Sequence, residues 1–407
     1  MAALNRIKID LANKIRNVQK WCAPYVLEDG IKRIPDEILA HIFEAGHQMP
    51  GHPEFAVRIS HVCSRFRQVS LRTPLLWTRL SSKHPNDQTE AYLTRSVQSD
   101  LQVTLSDLPA DKLRSFLQRC SPHSGRWSRL LLLLDPWAHG IIDEVASTHF
   151  PRLRSIFHHL NVEPTALQWN MPSLTQFGGF CSQFPPDASF PFLLQLTSMD
   201  LCFSDYDSFD MASLGQVLYK MLNLRNLSLE FQDCDDADTD EDYELEPPEP
   251  HSFHIDSLKI TFRDSIATNV AKSLYEIIEH LTATRVDISL LMHGDPHEFL
   301  NDAGIFHYGT TIRLQFGLPC SLSLILDMML QNSKILRSLL IENTSFNPIE
   351  YIPHQWQPFL SLSQLQFYDC IMLEEENVGH MARALLASEE FQLLELISCH
   401  KISEEYC

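Results

Sequence analysis

The chain has 407 residues, 44% hydrophobic and 21% charged, so most of it should fold, either as two or three domains or as one elongated array. Its formal net charge of −20 argues against nucleic acid or anionic lipid as the main partner, because phosphate binding needs a basic face. None of its ten cysteines forms a C-x-x-C pair, so the thiols are expected as buried small hydrophobes in a reducing compartment.

Residues 1–30 open with Leu4, Ile7, Leu11, Ile15 and Val18 at helical spacing among Lys and Arg. This predicts an amphipathic helix that packs on its own protein. Charges interrupt it too often for a signal peptide. No apolar run approaches the ~20 residues that span a bilayer, so no membrane partner and a cytoplasmic or nuclear location are expected.

Residues 31–80 form a dense helical block. Ile34, Ile38, Leu39, Ile42 and Phe43 read as one apolar stripe, with Pro35 in the first turn and Asp36 and Glu37 at the positive end of the helix dipole. Two Pro and two Gly in 46–53 predict a loop. A second helix is predicted from Phe55 to Leu71, with Ile59, Val62, Cys63, Phe66 and Val69 on one side. Thr73-Pro74 ends it, and the apolar cluster Leu75, Leu76, Trp77 and Leu80 follows. Residues 81–125 are expected to connect this block to a first repeat, with a strand at Leu101, Val103 and Leu105.

From 126 to 407 the texture changes to short strands of the form apolar-x-x-apolar-x-apolar. The clear copies start at Leu224, Leu336, Leu362 and Phe391, and weaker ones at 127, 153, 174, 196, 255, 283 and 309. Successive starts lie 21 to 31 residues apart, the period of leucine-rich repeats. Cys370 and Cys399 stand just after their strands, and Asn343 near that place in a third copy, where a side chain can satisfy the turning backbone. Helix-like pieces at 110–120, 208–221, 266–281, 322–331 and 374–388 alternate with the strands. The fold class expected is therefore α/β: helices first, then a parallel-stranded solenoid with the strands on its concave face and helices outside. A doubly wound sheet would need longer apolar strands and Gly-rich turns. Residues 233–250 carry ten carboxylates, three prolines and no basic residue, and are expected to form a disordered acidic loop inside one repeat.

The block Ile34-Pro35-Asp36-Glu37-Ile38-Leu39-x-x-Ile42-Phe43, then Val62-Cys63-x-x-Phe66-Arg67, then Pro74-Leu75-Leu76-Trp77 resembles an F-box. With the repeat start Arg126-Trp127-x-x-Leu130-x-Leu132, the chain resembles the F-box proteins with leucine-rich repeats abundant in mushroom-forming fungi. Phe66 stands where that family often has Trp, and the loop after Gly46 is longer than in compact F-boxes. The resemblance implies a three-helix module that docks the Skp-family adaptor, and through it a cullin, of an SCF-type ubiquitin ligase. Carried over residue by residue, the docking set is Pro35, Ile38, Leu39, Ile42, Phe43, Val62, Cys63, Phe66 and Trp77. A block of this size is too small to bury all those apolar groups internally, so some must face a partner or the first repeat.

The sequence carries no Gly-rich phosphate loop, HExxH, GxSxG or calcium loop. No catalytic, metal or cofactor residue is assigned. The repeats are expected to hold a protein substrate on strand residues between the pattern leucines: Glu230, Lys259, Arg285, Asp287, Arg313, Glu342, Gln366 and Tyr368. Their mixed charge suits a mixed-charge protein surface. The alternative is a leucine-rich-repeat scaffold that works without a ligase.

Overall fold

The structure is a computed structural model. It describes residues 31–49, 54–134, 139–145, 149–159, 169–180, 192–204, 211–234, 253–306, 308–318, 320–330, 334–342, 361–370, 373–399 and 401–402, with Lys14, Val18, Trp356, Pro358 and Phe359. Apart from Lys14 and Val18, the expected N-terminal helix lies outside the described residues. So does Asn343. The chain divides into two compact units, Met1–Val103 and Thr104–Cys407.

In the first unit, α1 runs from Asp36 to Gln48. Pro35 precedes it with φ −56° and ψ 151°, a conformation that residues entering a helix adopt readily. The helix continues through Gly46 into the predicted loop. A Cβ on Gly46 would sit 2.5 Å from Cζ of Phe55, so close helix packing, not chain reversal, accounts for this glycine. The single second helix expected is two, α2 (Phe55–Ser60) and α3 (Ser64–Leu71). Cys63 breaks them: its backbone is extended and its sulfur accepts the Phe66 N–H at 3.4 Å, capping α3. A 3₁₀ turn, Pro74–Trp77, leads to the short strand β1 (Arg79–Ser81), then to α4 (Asn86–Arg95) and the start of β2 (Leu101–Ser106). Trp77 anchors this core. Its Nε1 donates to the Ser70 carbonyl at 2.8 Å, Tyr92 meets it edge-on at 5.1 Å, and the Arg95 guanidinium lies 4.5 Å above its ring.

The thirteen strands of the sheet follow one another in chain order. In the second unit the paired strands are β3 (Trp127–Leu133), β4 (Ser155–His159), β5 (Gln176–Phe180), β6 (Ser198–Ser204), β7 (Asn226–Cys234), β8 (Phe253–Ile266), β9 (Leu281–Met292), β10 (Gly309–Phe316), β11 (Ser338–Glu342), β12 (Gln364–Tyr368) and β13 (Leu393–Ile397). These strands pair in parallel, and the register aligns the pattern leucines. Leu227 pairs with Leu258, Leu258 with Val286, Val286 with Ile312, Ile312 with Leu339, and Leu339 with Leu365. All of these are buried, each contributing about 1.5–3 kcal/mol. The connections carry α5 (Ala110–Cys120), α6 (His139–Val145), α7 (Met211–Lys220), α8 (Thr268–Ile278), α9 (Pro296–Ala303), α10 (Leu322–Met329) and α11 (Glu375–Leu385). Strand order, register and interleaved helices are those of a leucine-rich-repeat solenoid.

Two features depart from a uniform repeat. Strands β8 and β9 are 14 and 12 residues long, against 5 in β11, β12 and β13. Their ladder runs from Phe253↔Leu281 to Asp264↔Met292, and a spine of Phe203, Phe231 and Phe262 rings at 5.0 and 5.7 Å reaches it across β6, β7 and β8. The strand ends share a second device. Asp233, Asp264, Asp369 and Ser398 all have positive φ, a region that Asp tolerates better than most residues. In three of the four cases the next residue is a buried cysteine. Cys370 Sγ donates to the Ile341 carbonyl of the preceding strand at 3.6 Å, Cys399 Sγ to Phe367 at 3.8 Å, and Cys234 Sγ to Phe203 at 4.0 Å. Asp233 and Cys234, assigned from the sequence to the acidic loop, therefore belong to β7, and residues 235–250 lie outside the described set.

Candidate docking surfaces

The first surface belongs to α1 and the turn between α2 and α3. Successive residues of a helix point ~100° apart, and α1 carries two apolar stripes rather than the one expected. Leu39, Phe43 and His47 face inward and are buried. Ile38 and Ile42, one turn apart, face outward and are 49% and 50% exposed. Val62 is 62% exposed, and Cys63 and Pro35 are exposed beside their helix starts. Phe66 is half-buried with its ring edge-on to Phe43 at 5.0 Å.

The docking role expected of Leu39, Phe43 and Trp77 does not fit this placement. All three are 1–2% exposed, and the ring contacts of Phe43 and Trp77 lie within their own unit. Other exposed apolar side chains of the same unit were not in the expected docking set, among them Leu71 at the end of α3 and Leu75 in the 3₁₀ turn. Leu75 stands in the apolar run after Pro74 and Leu71 closes α3, but periodicity alone does not tell an outward leucine from an inward one.

Residues 31–83 match the F-box-like family. The F-box-like region thus coincides with the helices that hold both stripes of α1, Val62 and Trp77. No curated protein matches the chain. Among solved structures it is similar to a leucine-rich-repeat protein of Leptospira interrogans, with 14% identity, coverage of 82% of this chain and 88% of that one, and a TM-score of 0.28.

The second surface is the face of the parallel sheet that presents the residues between the pattern leucines. All eight predicted substrate residues lie on its strands, but most are already engaged within the sheet. Arg263 on β8 pairs with Glu230 at 3.0 Å, Arg285 with Asp287 at 3.0 Å, and Arg313 with Glu342 at 2.8 Å. Gln366 donates to Glu395 at 2.7 Å. Glu342 is buried, and its carboxylate raises the Arg313 pKa. It does not project as expected, because a carboxylate of this kind is retained in the interior only with its partner. Among the described residues, Lys259 and Tyr368 alone of the eight have no side-chain partner, and Tyr368 is 45% exposed. Leu393 and Ile397 on β13 are also exposed, giving the last strands an apolar character.

The thiols on these strands differ. Burial, with Glu230 and Asp200 nearby, pushes Cys202 up to about 11, which leaves it without nucleophilic thiolate at neutral pH. Cys399 is held down at about 7 by a hydrogen bond from Cys370 but is buried. Among the described residues no cluster of three His, Cys, Asp or Glu could hold a metal ion, and no helix is long and apolar enough to cross a membrane.

Proposed function

We propose that this chain is the substrate-recognition adaptor of an SCF-type (cullin–RING) ubiquitin ligase, of the fungal F-box type its sequence resembles, working in the cytoplasm or nucleus. The F-box-like region docks a Skp-family adaptor, which connects to a cullin, and the sheet of the repeats holds a protein substrate. The observation that carries this reading is the outward stripe of Ile38 and Ile42 within the F-box-like match. An aliphatic pair half-exposed on a short helix, with Val62 also exposed, is surface that a partner would cover. Pro35, Cys63 and Phe66 set the helix starts and the packing behind it. On the sheet, Tyr368 and Lys259 are the residues best placed to meet substrate, because forming a contact there breaks no existing ion pair. The chain performs no chemistry itself and raises the effective concentration of substrate near the transferring subunits.

Capture of purified Skp adaptor by the full-length chain tests the reading. Ile38→Asp with Ile42→Asp is expected to weaken it at least a hundredfold, since each buried isoleucine contributes ~1.5–3 kcal/mol and an unpaired carboxylate in the contact opposes binding. Both side chains are exposed, so the fold stays intact. No capture by the wild-type chain, or equal capture by the double variant, would leave the ligase-independent scaffold as the better reading.

A further inference from the structure

Arg65 makes an unusually large set of hydrogen bonds for one side chain. It stands on α3, two residues after the Cys63 cap, yet its contacts lie some thirty residues earlier in the chain. The guanidinium donates to the backbone carbonyls of Ile31 at 2.8 Å and Lys32 at 3.3 Å, and to that of Ile34. It also bonds the Asp36 carboxylate, with Nε at 2.9 Å and a terminal nitrogen at 2.7 Å. These acceptors surround one feature. The helical turn Ile31–Arg33 stops at Ile34 because the residue before a proline avoids helical geometry, and Pro35 offers no N–H. The Ile31 carbonyl still accepts the Ile34 N–H at 3.3 Å, but a chain turned away at Pro35 cannot supply the full set of intrahelical donors to the carbonyls that follow. Arg65 supplies them from across the unit, while Asp36, at the start of α1, takes the charge.

We propose that Arg65 is the positioning residue of the docking surface. By joining the Ile34–Pro35 turn to α3 it fixes the direction in which α1 leaves Pro35, and so holds the Ile38 and Ile42 stripe in place relative to the Val62–Cys63 turn. The planar five-donor fork suits this task. A lysine ammonium in its place could reach Asp36 or one carbonyl but could not bridge the set. The consequence for binding rests on the adaptor-docking reading above; the clamp itself does not.

The experiment uses the full-length chain with purified Skp adaptor and compares wild type, Arg65→Lys, Arg65→Ala and Ile38→Asp. Affinity and association rate are read on a biosensor, and local order by amide hydrogen exchange. Arg65→Lys is expected to bind roughly tenfold more weakly, the equivalent of ~1.4 kcal/mol, mostly through slower association, because the turn must then be ordered during encounter. Amide exchange should quicken at 31–39 and stay unchanged at 86–103. Arg65→Ala should exceed both effects; if it unfolds the unit, Arg65→Lys decides. Quicker exchange with unchanged affinity overturns the positioning role, and unchanged exchange in 31–39 overturns the clamp. If Ile38→Asp binds as tightly as wild type, the docking reading fails, and the exchange measurement still decides whether the clamp exists.

Discussion

Ile38 and Leu39 are both aliphatic residues on one helix, yet one is half-exposed and the other buried. One ~100° step separates the exposed side chain from the one that packs the unit's interior. The same helix carries a buried titratable group in its last turn. His47 is buried, neither of its ring nitrogens has a hydrogen-bond partner, and Phe55 lies against it at 6.5 Å. Burial, and secondarily the charge of Arg79, lowers its pKa from 6.5 to about 4. Its folded-state pKa therefore lies below the unfolded one. The unfolded chain gains a proton near pH 6.5 and the folded chain only near 4, so stability falls as pH drops through that window. Amide exchange in α1 is expected to quicken from pH 6.5 towards 4, after correction for intrinsic rates. His47→Leu, which fills the same space without a titrating group, should flatten that trend; an equally steep trend in the variant would exonerate His47.

At the scale of elements, each strand of the sheet pairs only with its immediate neighbours, so damage should stay local. Leu365 on β12 is fully buried between Leu339 of β11 and Leu394 of β13. Leu365→Ala is expected to cost about 2–5 kcal/mol, with amide exchange quickening across β11–β13 and unchanged in β4–β6. Equal acceleration across the whole sheet would mean that it opens as a single cooperative body. The strands were the most legible part of the sequence. The Leu-x-x-Leu-x-Leu spacing located β7 and placed β11, β12 and β13 to within about two residues, because the pattern itself is the buried row. What the pattern could not reveal was governed by local chemistry or by tertiary contact. The apolar spacing of Ile59, Val62, Phe66 and Val69 runs unbroken through a break made by a Cys63 cap. Gly46 reads as a loop until Phe55 is seen against it. α4, Asn-Asp-Gln-Thr-Glu-Ala-Tyr-Leu-Thr-Arg, has too few apolar residues for a helical period. The Cys234 ladder position escaped notice because β7 is longer than the short strands, which moves that cysteine two residues beyond its place in the Cys370 and Cys399 copies. The candidate sites were legible as residue types and not as orientations. Pairing of Arg263 with Glu230 and of Arg313 with Glu342 cannot be read from charge alternation alone.

For the whole molecule, the proposed function separates into two contacts that need each other only for ubiquitin transfer. Tethering through short connections gives effective concentrations on the order of millimolar, far above those at which regulatory proteins meet by diffusion. Removing one contact should therefore abolish transfer and leave the other contact intact. In a ligase reconstituted from Skp adaptor, cullin–RING subunits and this chain, the Ile38→Asp, Ile42→Asp variant is expected to retain any protein captured by the sheet while conjugating no ubiquitin to it. Added in excess over wild type, the variant should suppress conjugation in proportion to its share of the captured protein, since it competes for substrate and not for the adaptor. Tyr368→Ala should do the reverse, binding adaptor normally and losing captured protein. The informative readout is the pairing of the two variants. If both lose adaptor binding and substrate capture together, the chain is not two separable surfaces joined by a fold, and the adaptor mechanism gives way to a single composite interface.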